Sequence, residues 1–167
     1  CTPYLCHVLS RYGYTDVAYE LLNQESYPSW LYPVKQGATT IWERWDGIKP
    51  DGSFQDASMN SFNHYAYGAI GDWLYQVVAG IEIDPNVPGY KRVLIQPQPG
   101  GGLTYASASF ESLYGRIESK WTLEKDKFDL AVTIPANTEG VVRLPAQSVA
   151  DITELGQALD QVDGIHE

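Results

Sequence analysis

Asp84-Pro85-Asn86-Val87-Pro88-Gly89 decides how this chain is divided. Two prolines and a glycine in six residues cannot continue a helix, because proline lacks an amide hydrogen and its ring clashes with the preceding turn. The sequence differs in kind on either side. Fifteen of the 21 aromatic residues, and four of the five tryptophans, precede the end of this stretch. Beyond it, apolar and polar residues alternate with a period of two. The spacing predicts a helical part over 1–84, a linker over 85–89 and a stranded part over 90–167. Charge does not mark the border, since residues 1–89 carry −6 and residues 90–167 carry −4.

Upstream of the connector, Thr2 and Pro3 suit a helix start, and Leu5, Val8 and Leu9 form one face until Gly13. Thr15 is expected to cap a second helix carrying Val17, Leu21 and Leu22, so that the two pack as an αα-hairpin. A third helix is predicted from Phe62 to Val78, where Ile70, Trp73, Leu74, Val77 and Val78 recur at helical spacing and Gly80 is the stop. The stretch between, Tyr27 to Asn60, is too long for a simple connection and marks a working loop.

Downstream, Val93 and Ile95, then Ile117, Trp121 and Leu123, then Phe128, Leu130, Val132 and Ile134 alternate with polar residues. Turn residues separate the runs, as at Gly100-Gly101-Gly102 and Lys125-Asp126-Lys127. This pattern indicates an antiparallel β-sandwich and places the whole chain in the α+β class.

Composition excludes several functions. The 167 residues are 44% hydrophobic, enough for a real core, and the net charge of −10 offers no footprint for nucleic acid or anionic lipid. No apolar run is long enough to span a membrane, and Cys1-Thr2-Pro3 does not read as an export signal. Cys1 and Cys6 are spaced as two unpaired small apolar side chains. His7, His64 and His166 are too far apart for a histidine metal motif, and Asp46, Asp51 and Asp56 do not follow the alternation of a calcium loop, so neither metal nor other cofactor is expected. Both ends read as cut from a longer chain. The helical faces need partners that 1–84 does not supply, and self-association through them is expected.

Two clusters could carry chemistry. In Gly37-Ala-Thr-Thr-Ile-Trp-Glu-Arg-Trp-Asp-Gly47, Glu43 stands between Trp42 and Trp45 beside Arg44. Indole faces suit the apolar faces of sugar rings. Desolvation raises a carboxyl pKa while an adjacent guanidinium lowers it, which keeps the group ionised yet basic enough to activate water. The competing reading is a structural Glu43–Arg44 ion pair at a helix end, with both indoles in the core. In Asn60-Ser-Phe-Asn-His-Tyr-Ala-Tyr-Gly68, His64 lies near the start of the third helix, where the helix dipole favours a neutral imidazole. The competing reading there is an N-terminal cap plus a satisfied, half-buried histidine.

These motifs resemble those of the bacterial α-L-rhamnosidases, the inverting enzymes of glycoside hydrolase family 78. The likeness also draws on Thr2-Pro-Tyr-Leu5, Leu9-Ser-Arg-Tyr-Gly13, Tyr27-Pro-Ser-Trp30 and Pro88-Gly-Tyr-Lys-Arg92, in the family's order over most of 1–122. The resemblance implies the last helices of an (α/α)6 barrel followed by a jelly-roll-like β-sandwich. It places the general base on Glu43, a rhamnose contact on His64 and pocket-lining roles on Trp42 and Trp45. It also implies that the general acid lies in an upstream portion, that rhamnose-containing glycosides are the substrate, and that the chain alone is inactive. The other readings are a different (α/α)6 glycosidase, or a non-catalytic carbohydrate-binding or packing module.

Overall fold

A computed structural model describes residues 2–125 and 127–166, so the Cys1 thiol and the Asp126 turn position lie outside the described residues. Helix α1 (Leu5–Arg11) follows a 3-10 turn at Thr2–Tyr4, and α2 (Thr15–Asn23) follows the left-handed Gly13, giving the expected hairpin. The buried stripe of α1 is not the expected one. Leu9 packs on the core, but Leu5 and Val8 are exposed and Cys6 is the buried residue. The α2 backbone explains this, because the Cys6 thiol points at the Ala18 carbonyl at 3.9 Å, and burial pushes its pKa up to about 11. Thr15 does not cap. Its hydroxyl donates to Gln98 Oε1 at 2.8 Å, tying α2 to the stranded part.

Helix α3 is short (Leu31–Lys35) and sits inside the long loop. The expected third helix begins later than Phe62, as a 3-10 turn at Ala66–Ala69 that leads into α4 (Ile70–Trp73) and a π-helical turn at Leu74–Val78. Carbonyls that a helix from Phe62 would need are already occupied. Ser61 O accepts from Glu43 N–H at 2.8 Å, and Phe62 O accepts from the Thr40 hydroxyl.

The chain leaves the helix at Gly80, whose φ of +81° suits glycine and whose missing Cβ would lie 2.2 Å from Pro97 N. Strand β1 (Ile81–Ile83) pairs antiparallel with β2 (Arg92–Ile95), so the Asp84–Gly89 connector is the turn between two strands of one sheet. Strands β3 (Tyr105–Ser112), β4 (Gly115–Glu124) and β5 (Lys127–Thr133) form a second, antiparallel sheet. Strand β6 (Glu139–Val142) returns to the first sheet and runs parallel to β2, one pair in the sandwich that departs from the antiparallel expectation. It reaches that edge by crossing over from the other sheet, so no hairpin turn constrains its direction. Strands β7 (Thr153–Glu154) and β8 (Gln157–Ala158) make a small hairpin near the C-terminus.

Ile81, Val93 and Ile95 of the first sheet bury against Ile117 of the second, with Ala108, Val132 and Ile134 packed around them. Further along β4, Trp121 joins the other core, with Cys6, Ala18, Tyr19, Trp30, Ile70, Trp73, Val77 and Val78. Its indole N–H donates to Val78 O at 2.7 Å, and Ser119 Oγ donates to Ala79 O at 2.6 Å. A helix C-terminus leaves its last carbonyls unpaired. Here the sheet satisfies two of them, and helices and sandwich share one core.

Asp84 organises the connector. Its carboxylate accepts the Asn86 N–H at 2.8 Å and Arg92 Nε at 2.6 Å, and these bonds, the Asn86 amide first, hold its pKa below the ordinary aspartate value. A carboxyl depressed in the folded state stabilises the fold above its unfolded pKa of about 3.9, and that contribution disappears as pH falls through the folded value. The stability advantage of the native chain over Asp84→Asn is therefore expected in full at neutral pH and to shrink below about pH 4. Urea titrations at stepped pH check this, and a difference independent of pH would contradict it.

Candidate active site

Residues 40–43 run alongside 61–64, both as irregular backbone. His64 N–H donates to Ile41 O at 2.9 Å, Glu43 N–H donates to Ser61 O at 2.8 Å, and Ser61 N–H donates to Glu43 Oε2 at 2.9 Å. The two clusters picked out in the sequence are thus brought together by direct pairing. Glu43 is half-buried, with one carboxylate oxygen on a backbone amide.

Arg44 does not pair with it. Its guanidinium donates to Gln55 Oε1 at 2.9 Å and lies 3.0 Å from the Met59 sulfur. The structural Glu43–Arg44 ion pair is absent among the described residues, and residues 40–43 are irregular backbone rather than the end of a helix. Without a guanidinium partner the carboxylate keeps an oxygen for other work.

The indoles frame this acid differently. Trp42 is buried, edge-on to Phe62 at 5.3 Å and to Tyr32 at 6.5 Å between ring centroids. Trp45 packs edge-on to Trp30 at 4.6 Å and tilted over Tyr67 at 5.0 Å. Trp30, Trp42, Trp45 and Tyr67 line a cavity of about 30 Å³ together with Arg44 and Thr40, and Glu43 is not part of that lining. The Trp45 indole N–H is buried without a partner. The aromatic wall therefore supports the chain that carries Glu43, while the carboxylate faces the 61–64 segment.

His64 is exposed and lies just before the helical run, two residues earlier than the first 3-10 residue. Its Nδ1 accepts the Ala66 N–H at 3.1 Å, so this nitrogen is unprotonated and Nε2 carries the hydrogen. The imidazole is a local capping acceptor, but it is exposed rather than half-buried as the competing reading has it.

Residues 48–58 brace the turn below. Ile48 bridges Phe54, and Gln55 N–H donates to Gly47 O at 3.1 Å. Asp51 accepts the Ser53 amide and hydroxyl, and Asp56 accepts those of Ser58, which holds both carboxyls below the usual aspartate range. Sequence reasoning missed Ser61 as the donor to Glu43, and Trp30 and Tyr67 as the rest of the aromatic wall. The adjacency of Asn60 and Ser61 to the His64 motif was visible, but their reach across the fold was not.

Helical and stranded parts share one core, and a tryptophan-braced acid sits at the helical end. Residues 1–78 match the bacterial alpha-L-rhamnosidase 6 hairpin glycosidase domain, and residues 80–158 match the bacterial alpha-L-rhamnosidase C-terminal domain. The chain belongs to the bacterial α-L-rhamnosidase family.

An alpha-L-rhamnosidase of Streptomyces avermitilis is 51% identical over 145 residues, 87% of this chain and 14% of that protein. One from Formosa agariphila is 44% identical, over 88% of this chain and 16% of its own length. The crystal structure of the Streptomyces avermitilis enzyme complexed with L-rhamnose superposes with a TM-score of 0.83 at 50% identity, over 89% of this chain and 14% of that one. The enzyme from Aspergillus terreus gives 0.82 at 44% identity, over 87% and 17%. The chain thus spans only about a seventh of the length of these relatives.

Proposed function

We propose that this chain is the part of an inverting α-L-rhamnosidase that carries the general base, and that the intact enzyme releases terminal non-reducing α-L-rhamnose from glycosides. The observation that carries the proposal is the Glu43 carboxylate, anchored by the Ser61 amide through one oxygen and free of any guanidinium partner among the described residues. The Ser61 N–H fixes the direction of the group and leaves its other oxygen open. The remaining lone pairs take a proton from a water molecule as its oxygen attacks the anomeric carbon.

Inversion requires a second carboxyl about 6.5–9.5 Å from the first, which protonates the departing glycosidic oxygen. In this reading that acid comes from another part of the longer enzyme. His64 uses its Nε2–H to donate to a sugar hydroxyl, and Trp42 and Trp45 hold the wall of the pocket. We place the working boundary between the two parts at Ala79–Gly80, where the helical run ends, because the 85–89 connector turns β1 into β2.

Assaying the purified 167-residue chain beside the full-length enzyme tests the proposal. The chain is expected to show no hydrolysis of an aryl α-L-rhamnoside, and the full-length enzyme to cleave it with inversion. Cleavage by the chain alone, or retention by the parent, would contradict the reading. The same preparation is expected to self-associate through the exposed Tyr4, Val8, Tyr12 and Tyr14, and sedimentation at micromolar concentration reports it.

In the full-length enzyme, His64→Ala is expected to raise KM by about tenfold, the value of one hydrogen bond, with a smaller effect on kcat. A collapse of kcat at unchanged KM would place His64 in the chemistry instead.

A further inference from the structure

We infer that Asn60 is a positioning residue for the Glu43 carboxylate, acting through Gly47 and Ser61; this rests on Glu43 being the base. Glu43 leads directly into a turn over 44–47, closed by Gly47 N–H donating to Arg44 O at 3.2 Å. Two adjacent residues hold the two ends of 43–47. Ser61 exchanges hydrogen bonds with Glu43, through the backbone and through the carboxylate, at 2.8 and 2.9 Å. Asn60 Nδ2 donates to Gly47 O at 2.9 Å. The peptide that orients the carboxylate is therefore itself oriented by the Asn60 amide.

Two further observations bear on this contact. Asn60 Oδ1 is buried and has no hydrogen-bond partner among the described residues, so Nδ2 is the end of the amide that is paired. Gly47 makes room for it, since a Cβ at position 47 would sit 2.7 Å from Asn60 Oδ1 and 3.4 Å from Arg44 O. Asn60 and Gly47 form one lock. When either is altered, the 60–61 segment loses its register against the turn and the Ser61 amide no longer fixes the direction of the carboxylate. Small displacements of a reacting group cost rate far more than binding.

The test is made in the full-length enzyme with Asn60→Ala, Asn60→Asp, Gly47→Ala, Glu43→Gln and the Asn60→Ala/Glu43→Gln pair. Asn60→Asp keeps the shape and removes the donor, so it stands in should the alanine variant fail to fold. Asn60→Ala, Asn60→Asp and Gly47→Ala are each expected to lower kcat by about 10–100-fold with little change in KM. In the Glu43→Gln background, Asn60→Ala should cost almost nothing more.

A merely structural role would let the loss persist undiminished beside Glu43→Gln, and that result overturns the inference. So does an unchanged kcat in Asn60→Asp while Glu43→Gln is inactive. A Glu43→Gln variant as active as the parent would instead sink the assignment of the base.

Discussion

Glu43→Gln in the full-length enzyme is expected to lower kcat by about 10²–10⁴-fold while leaving KM within a few-fold. The glutamine keeps the size of the side chain and can still accept the Ser61 amide through its carbonyl oxygen, so the local pairing of residues 41–43 with 61–64 survives. What disappears is the basicity of the second oxygen. The neutral amide cannot take a proton from water, so under the proposed role the attack on the anomeric carbon loses its general base. Steady-state kinetics with an aryl rhamnoside measures the effect. Near-normal turnover would remove Glu43 from the mechanism, and a loss confined to KM would make it a binding residue.

Trp121→Ala has the largest expected effect on stability. The indole is fully buried at the meeting of helices and sheet, tilted against Phe128 with centroids 6.0 Å apart, and its N–H satisfies Val78 O. Truncating a buried tryptophan leaves a cavity and costs about 3–5 kcal/mol. It also strands a helix-terminal carbonyl in an apolar setting. A typical domain is stable by only about 5–15 kcal/mol, so the variant should sit near the edge of folding. Urea unfolding followed by circular dichroism gives the shift. A midpoint unchanged from the parent would show that helices and sandwich are stabilised independently of this contact. Trp121→Phe should recover part of the packing but not the hydrogen bond.

Local patterns in the sequence carried most of the architecture. Period-two alternation located the strands around Val93, Ile117 and Leu130, and helical spacing located Trp73, Val77 and Val78 as a buried face. Glu43 was conspicuous because an acid between two indoles is unusual surroundings for a charge. What local pattern could not carry was pairing at a distance. The start of the third helix was placed too early because Ser61, Phe62 and His64 spend backbone groups on residues 40–43, a contact with no periodic signature. The parallel pairing of β6 depends on a crossover between sheets, which alternation alone does not encode. On α1 the buried stripe follows Cys6 rather than the larger Leu5 and Val8, because close approach to the α2 backbone favours a small side chain. Nor does local pattern encode the reach of the Asn60 side chain to Gly47.

The Cys6 thiol, enclosed between α1 and α2 with its pKa pushed up to about 11, has almost no thiolate at neutral pH. Alkylating reagents reach it only when the hairpin parts. Once Cys1 is replaced by serine, the labelling rate of this sulfur times the breathing of the helices beside the proposed site, and a rhamnose-like ligand that tightens them would slow the clock.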